Sequence, residues 1–455
     1  MMNAPEAEME QHIQKIVTAA VQAADPARLV AQHLALQGDM LFLPDVANDL
    51  SKGSVKLVAI GKAAIAMAQE AIALMGKHIS AGVIASKLPA PGEWPDTIQF
   101  FRSAHPVPDR QSVAAGEAIA QLLAGTTPED LVLCLISGGA SALVCLPRLP
   151  LEDWQALNQA LLRAGCPIGE INLVRQWFDR LKGGGLAQMA APAKCASLIL
   201  SDVIGNDLAS IGSGPTVMVD KAKVNVQAVL DDYGVWSYLP ETTSSAIKEL
   251  LRETLPAVEI SATTPVNHII GDVGLACKAA QKEAQKLGYQ AHTLTTTLEG
   301  EARVIGRMAA RLATGGVPDE ASIVLLPDLD SSRPYCLILG GETTVTVRGD
   351  GAGGRNQELA LAAALDIEGN IGVSIASFAT DGEDGLLPPR QTPVAGAFVD
   401  GQTVPQAAAK GLDASDYLGR NDSYGFFQAL ERGHLTAERG TNVNDLLLVF
   451  KGPAE

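Results

Sequence analysis

Several short stretches of this chain place residues suited to phosphate or carboxylate chemistry at turns. In Ser137-Gly138-Gly139-Ala140-Ser141, Gly138 and Gly139 let the backbone approach a ligand closely. A helix after such a turn offers free N–H groups and a positive dipole end, and Ser137 and Ser141 add hydroxyls. The stretch suits a phosphate or a carboxylate, and it reads equally as a strand–helix turn that holds nothing. Gly61-Lys62 sets a lysine behind an apolar run, where an ammonium can neutralise a transferring phosphoryl group. A solvated surface lysine is the competing reading. Ser201-Asp202-Val203 and Asn206-Asp207 follow another apolar run. Carboxylates at a strand end can hold Mg²⁺ through water, with phosphates completing the octahedron, or they can cap a helix or close an Asx turn. Gly212-Ser213-Gly214-Pro215 is a further tight loop with backbone donors. Arg175 and Lys182, the latter just before Gly183-Gly184-Gly185, form an anion clamp or belong to a surface loop.

The second half carries a denser constellation. Gly349-Asp350-Gly351-Ala352-Gly353-Gly354 formally matches the dinucleotide fingerprint G-x-G-x-x-G. The preceding Thr344–Arg348 alternates and carries Arg348, unlike the buried first strand of a dinucleotide fold. The stretch therefore reads as a glycine-rich loop, with Gly351, Gly353 and Gly354 against a phosphate or carboxylate. It delivers Arg355, Asn356 and Glu358 to a site at the start of the next helix. Arg355 can bind an oxyanion through two parallel hydrogen bonds. Thr380-Asp381-Gly382-Glu383-Asp384-Gly385 either holds a metal through Asp381 or is a solvated acidic turn. There is no G-x-x-x-x-G-K-[ST] P-loop and no G-x-S-x-G elbow. None of the seven histidines, His105 among them, shows zinc-ligand spacing, and each reads as a core or surface residue. The six cysteines form no C-x-x-C pair and read as small core residues of a reducing cytosol.

The elements that must carry these turns recur in one pattern: an aliphatic run, a Gly/Ser/Asp turn, then an Ala-rich amphipathic segment. Val55–Ile60, Leu131–Ile136, Ser197–Leu200, His268–Ile270, Leu337–Leu339 and Ser374–Phe378 are the runs. Such alternation predicts α/β architecture with largely parallel sheets covered on both faces. Ligands then bind at the carboxyl ends of the strands, where every one of these turns lies. A boundary is expected between Tyr233 and Thr264, which has turn and helix signals but no strong strand. The chain divides there into residues 1–235, a Rossmann-like three-layer sandwich, and residues 236–455, a second α/β domain. The polar segment Gly315–Arg333 connects elements within that second half.

Composition narrows the function. The chain has 455 residues with 34 Lys+Arg against 51 Asp+Glu, a net charge of −17. That sign disfavours nucleic acid and anionic membrane surfaces. Hydrophobic residues make up 47% and charged residues 19%, which excludes a disordered chain. Residues 1–14 are acidic and lack the apolar core of a secretion signal. The longest uncharged stretch, Leu131–Leu146, is broken by Ser137-Gly138-Gly139 and is shorter than the ~18 residues a membrane span needs. A cytoplasmic enzyme is expected, with a homodimer the common state at this size.

Taken together, the motifs resemble a known family. Gly61-Lys62-Ala63-Ala64, Ser137-Gly138-Gly139-Ala140-Ser141-Ala142-Leu143, Ser201-Asp202-Val203, Ser213-Gly214-Pro215-Thr216 and Gly340-Gly341-Glu342-Thr343 occur in order. Gly353-Gly354-Arg355-Asn356-Gln357-Glu358, Thr380-Asp381-Gly382 and Thr441-Asn442-Val443-Asn444-Asp445 follow. The series resembles the glycerate 2-kinase family, whose C-terminal part is the MOFRL domain, here about residues 335–450. The resemblance implies two α/β domains with the active site in the cleft between them. It also implies ATP, Mg²⁺ and phosphate transfer to the 2-hydroxyl of D-glycerate. It maps the charge-stabilising roles onto Lys62 and Arg355, and acidic positions onto Asp202 and Asp381, with Asp202 the preferred base and Asp207 a further metal ligand. Three departures stand out: Ala140 where the family has glycine, Asn206 where it has aspartate, and a longer loop over 382–397 with Pro393 in place of an aspartate. Two other readings remain. One is a hydroxypyruvate reductase using NAD(P)H, a label some members of this family have carried. The other is a non-catalytic binder of a hydroxy acid or nucleotide. If the substrates are anions, a few local cations, chiefly Lys62 and Arg355, must draw them against the field of the rest of the chain.

Overall fold

Leu131–Ile136 is buried at every position, and Val55–Ile60 at every position but Lys56. Strands apolar on both faces must be covered on both. The computed structural model describes residues 4–253, 264–315, 327–330, 332–388 and 391–452. Among them, Val55–Ile60 (β1), Ile79–Ser86 (β2), Ile98–Arg102 (β3), Leu131–Ile136 (β4), Lys194–Leu200 (β5) and Val266–Gly271 (β6) form one six-stranded sheet. Its order is β3-β2-β1-β4-β5-β6. The pairs β1–β2, β1–β4, β2–β3 and β4–β5 are all parallel. This is the doubly wound order, in which the chain reverses its direction of growth between β1 and β4.

Helices follow from spacing and capping. Ala64–Met75 buries Ala64, Met67, Ala68, Ala71 and Met75, a stripe at three- and four-residue intervals. Arg110–Leu123 begins at Asp109, whose carboxylate accepts from the Ser112 amide while Ser112 Oγ accepts from the Asp109 amide. Its Ala115, Ile119 and Leu123 pack on Val58, Val83, Val132 and Cys134 of the sheet. A satellite core joins Trp154, Phe178, Leu230, Val235 and Ile247. Three short antiparallel strands, Ala35–Gln37, Met40–Leu43 and Val46–Asp49, precede β1.

The second sheet contains Gln290–Glu301 (β7), Tyr335–Thr344 (β8), Val373–Ala379 (β9), Gly396–Asp400 (β10), His434–Leu435 (β11) and Asp445–Lys451 (β12). Its order is β7-β8-β12-β9-β10-β11. Only β7–β8 is parallel here; β12 runs antiparallel to both β8 and β9, and β10 and β11 continue antiparallel. The expectation of largely parallel sheets thus holds for the first sheet and not for the second. Helices Ala302–Thr314 and Arg355–Asp366 supply much of the second core. They cross at Gly306, where a Cβ would stand 2.4 Å from the Leu359 carbonyl oxygen.

The compact units are Pro26–Ile270, and Met1–Asp25 with Gly271–Glu455. This differs from a division at 235/236 for two reasons. Helix Glu241–Leu250 belongs to the first unit, with Thr243 Oγ1 donating to Asp153 at 2.5 Å and Ile247 in the satellite core, and β6 completes the first sheet. Helix Ala4–Ala23 belongs to the second unit: His12 Nδ1 lies 2.9 Å from the Tyr289 hydroxyl, and Thr441 Oγ1 donates to the Ala24 carbonyl at 2.6 Å. Parts of two expected connecting segments, residues 254–263, 316–326 and 331, lie outside the described residues. Among those described, no helix is long and apolar enough to cross a membrane.

Candidate active site

The carboxyl ends of the first sheet gather most of the residues singled out from sequence. β1 leads into Gly61-Lys62, β4 into Ser137-Gly138-Gly139 and β5 into Ser201-Asp202. β1 and β4 are neighbours at the reversal, so their two turns interlock. The Lys62 amide donates to the Gly138 carbonyl at 2.8 Å, the Ala63 amide to Ser137 Oγ at 3.0 Å, and the Ser137 amide to the Ile60 carbonyl at 2.9 Å. Gly61 sits at φ +129°, where a Cβ would be 2.1 Å from Ser137 Oγ. The Gly-Lys motif is therefore a structural requirement of the Ser137 turn, and Ser137 itself is buried within it.

His105, assigned from sequence to core or surface, stands beside this turn. A Cβ on Gly139 would lie 3.1 Å from its ring. Burial first, and then the charges of Lys62, Lys87 and Arg175, together lower the His105 pKa to about 4. Three cations from three parts of the fold thus act on one ring. Lys87, the residue after β2, was missed from sequence, although its place directly behind a strand was a usable signal. The imidazole stays neutral at ordinary pH. Its folded pKa lies below the unfolded value near 6.5, so its contribution to stability is present above about pH 6.5 and lost as pH falls toward about 4. His105→Gln is expected to flatten the fall of the urea unfolding midpoint across that window; an unchanged slope would rule His105 out as a source.

A polar chain extends the site. Ser213 Oγ donates to Asn172 Oδ1 at 2.9 Å, which leaves the Ser141 hydroxyl to donate to Ser213, also at 2.9 Å. Arg175 is aligned by Asn158, which accepts from Nε at 2.8 Å, and burial lowers its pKa. Ser141 and Ser213 are thus joined to Asn172, which lies one helical turn before Arg175 on helix Ile168–Phe178. Lys182 is not part of this chain of contacts. Its side chain is buried, its Nζ donates to the Val144 carbonyl at 3.0 Å, and Asp179 lies 3.6 Å away. It fills the interior as a paired charge rather than clamping a ligand. Gly183 and Gly184 pair with the Ser213 and Gly214 carbonyls at 3.0 and 2.8 Å and brace that loop. Asp207 also departs from its expected role: its carboxylate accepts from the Ala209 amide and from Ser210 Oγ, closing its own turn. Among the described residues, no group of three or more His, Cys, Asp or Glu side chains is placed to hold a metal ion.

In the second unit, Arg355 opens helix Arg355–Asp366 but does not offer a bare positive charge. Its Nε and Nη2 donate to the two carboxylate oxygens of Asp445, the latter at 2.8 Å, and its Nη1 lies 2.9 Å from Glu342. Burial pulls the guanidinium pKa down, but the hydrogen bond and charge of Asp445 and the charge of Glu342 more than reverse this. Burial pushes Asp445 up to about 7 against the pull of Arg355, and Glu342 and Asp384 add to the push. The bidentate geometry is that of an ionised pair.

The start of this helix already holds a carboxyl group, and it is the protein's own. Asp384 accepts from the amides of Asn356 and Gln357 at 3.0 and 2.9 Å, and from both their side chains. The glycine loop is likewise filled from within. A Cβ on Gly351 would clash with Asp422, on Gly353 with Ser423 Oγ and on Gly354 with Asp384. These glycines are required by chain packing, and a phosphate is not needed to explain them. Asn356 and Glu358 are corrected in the same sense. Asn356 is buried and accepts from Ser377 at 2.5 Å, while Glu358 is buried between Arg303 at 2.6 Å and Asn421 at 3.0 Å. The carboxylate of Asp381 accepts from the Glu383 amide at 3.1 Å, an Asx turn. Residues 389–390 of the altered loop lie outside the described residues.

Comparison with known proteins fits this arrangement. Residues 12–248 match a domain of unknown function, DUF4147, and residues 335–445 match the MOFRL family. D-glycerate 2-kinase of Thermotoga maritima is 40% identical over 88% of this chain and 91% of its own length. The chain belongs to the glycerate kinase family. Glycerate kinase of Rattus norvegicus is 37% identical over 97% of this chain and 93% of its own length. The crystal structure of glycerate kinase from Thermotoga maritima superposes with a TM-score of 0.81 at 36% identity, covering 98% of this chain and all of that one. Relative to this glycerate kinase family, the reductase alternative gains nothing. Its fingerprint, Gly349–Gly354, lies in the unit with the mixed sheet, packed against Arg420, Asp422 and Ser423.

Proposed function

We propose that this chain is an ATP-dependent D-glycerate 2-kinase, moving the γ-phosphoryl group of ATP to the 2-hydroxyl of D-glycerate. The observation that carries the reading is the seat of Lys62 between the interlocked turns behind β1 and β4, with the charges of Lys87 and Arg175 also felt at His105, in a chain of net charge −17. A local cluster opposed to the overall sign is built for anions. The family relatives named glycerate kinase and D-glycerate 2-kinase supply the substrate.

In the reaction, the bond from the γ-phosphorus to the bridging oxygen breaks and ADP leaves, a bond to the 2-oxygen of glycerate forms, and the hydroxyl proton passes to water. Such transfer depends on positioning and charge neutralisation more than on covalent chemistry. Lys62 neutralises phosphate charge, Lys87 and Arg175 add to it, and the Ser141–Ser213–Asn172 chain orients hydroxyl donors. Mg²⁺ keeps several waters and needs only one or two carboxylates beside the phosphates. Asp202, directly after β5, therefore suffices as its ligand without a three-acid cluster. Bound there, the ion would withdraw charge from the phosphate oxygens.

The test is incubation of the purified chain with ATP, Mg²⁺ and either D- or L-glycerate, with the product identified by ³¹P NMR. ADP and 2-phosphoglycerate from the D-isomer are expected. ATP turnover without a glycerate product, or a 3-phosphate product alone, would overturn the reading.

A further inference from the structure

Arg355 has five N–H donors, and the structure divides them between two unequal acids. The Nε/Nη2 edge faces Asp445, whose side chain is 8% exposed and whose backbone sits in the ladder opposite Gly341. The Nη1 side faces Glu342, whose side chain is 42% exposed. Glu342 makes one contact to the guanidinium at 2.9 Å, and its other oxygen accepts from Asn444 Nδ2 at 3.0 Å. These acids take three of the five donors, and an oxyanion on the two that remain, one on Nη1 and one on Nη2, would sit against a neighbouring carboxylate, so a tight grip needs one of the acids to move aside. Moving Asp445 would strand a buried carboxylate, whereas Glu342 can turn into water at little cost.

We propose that Glu342 is a built-in competitor that occupies the Nη1 side of Arg355 until a carboxylate or phosphate of the substrate displaces it. The proposal rests on the phosphotransferase reading only for the identity of the displacing oxyanion. Substrate capture is then an exchange of one oxyanion for another around a guanidinium whose far edge never lets go. The device also sets a threshold for ligands. A weak, spherical anion such as chloride cannot replace a carboxylate that is also tethered by Asn444, whereas an oxyanion that engages two donors can.

The test is steady-state kinetics of Glu342→Gln. The KM for the displacing substrate is expected to fall about two- to fivefold, the range for an exposed ion pair, with kcat changed by less than about twofold. Whether the KM for D-glycerate or for ATP falls tells carboxylate from phosphate. Chloride inhibition is expected to strengthen in the same variant. Asn444→Gly leaves every charge in place and keeps a residue suited to φ +64°, so it is expected to lower the same KM by loosening Glu342. An unchanged or higher KM for both substrates overturns the proposal. So does a loss of kcat beyond about tenfold at constant KM, which would mark Glu342 as part of the chemical step. Calorimetry with inorganic phosphate on the same proteins separates the two readings. If the wild type makes no product yet Glu342→Gln binds phosphate about two- to fivefold more tightly, the competitor stands and the kinase reading falls. Equal phosphate binding, with both KM values unchanged, sinks the competitor alone.

Discussion

Lys62→Ala is expected to lower kcat for D-glycerate phosphorylation about 10²–10³-fold, by analogy with loss of one oxyanion-stabilising donor. The fold is expected to survive. The contacts that lock the Gly61 turn to the Ser137 turn run through the Lys62 and Ala63 amides, which alanine keeps. The loss should fall on kcat more than on KM, because an interaction that strengthens in the transition state affects the chemical step. Circular dichroism establishes folding, and single-turnover rates isolate the chemical step. Wild-type turnover by the folded variant would remove Lys62 from the mechanism.

Arg355→Ala is expected to cause a comparable loss of kcat together with a loss of stability that Lys62→Ala does not share. The arginine is the partner of a buried carboxylate, and breaking a buried pair from one side costs about 3–5 kcal/mol. It also removes the influence that lowers the Asp445 pKa, leaving burial, Glu342 and Asp384 to raise it. A carboxyl raised above its unfolded value near 3.8 stabilises the fold at low pH and loses that contribution as pH rises through its folded value. The variant should therefore be weakest toward neutral and alkaline pH. The double variant Arg355→Ala/Asp445→Asn should regain stability and remain inactive. Chemical denaturation across pH separates the two effects. A double variant no more stable than Arg355→Ala would place the destabilisation elsewhere.

The legible parts of this protein are those in which neighbours in sequence are neighbours in space. The turns at Lys62, Ser137 and Asp202 could be read because each lies directly behind its apolar strand. The expected pair of local cations, Lys62 and Arg355, sits in two different settings. Lys62 is joined by Lys87 and Arg175, whereas Arg355 is surrounded by Asp445, Glu342 and Asp384. Those acids come from three other segments, the nearest 13 residues from Arg355 in the chain (355 − 342). Glycine was the least faithful signal. A residue without a side chain shows that something comes close but not what, and around Gly351–Gly354 that something is Asp422, Ser423 and Asp384. Lys182 and Glu358 misled for the complementary reason: a charged residue is usually solvated, and these two are buried in internal pairs.

The place of β12 has a consequence for how the chain is made. It is the final strand in sequence, yet it lies between β8 and β9. At ~5–20 residues per second, the ribosome releases every strand of the first sheet well before this one. Meanwhile the nascent second sheet holds two unpaired inner edges, a ready template for wrong partners. Helix Ala4–Ala23, synthesised first, can meet Tyr289 earlier, but its hydrogen bond from Thr441 to Ala24 forms only once that late segment exists. Asp445 is the first residue of the strand that closes the gap. Sheet closure and the arrival of the Asp445 carboxylate on Arg355 are thus one event, and a chaperone that shields the open sheet would also be guarding an arginine not yet set in place.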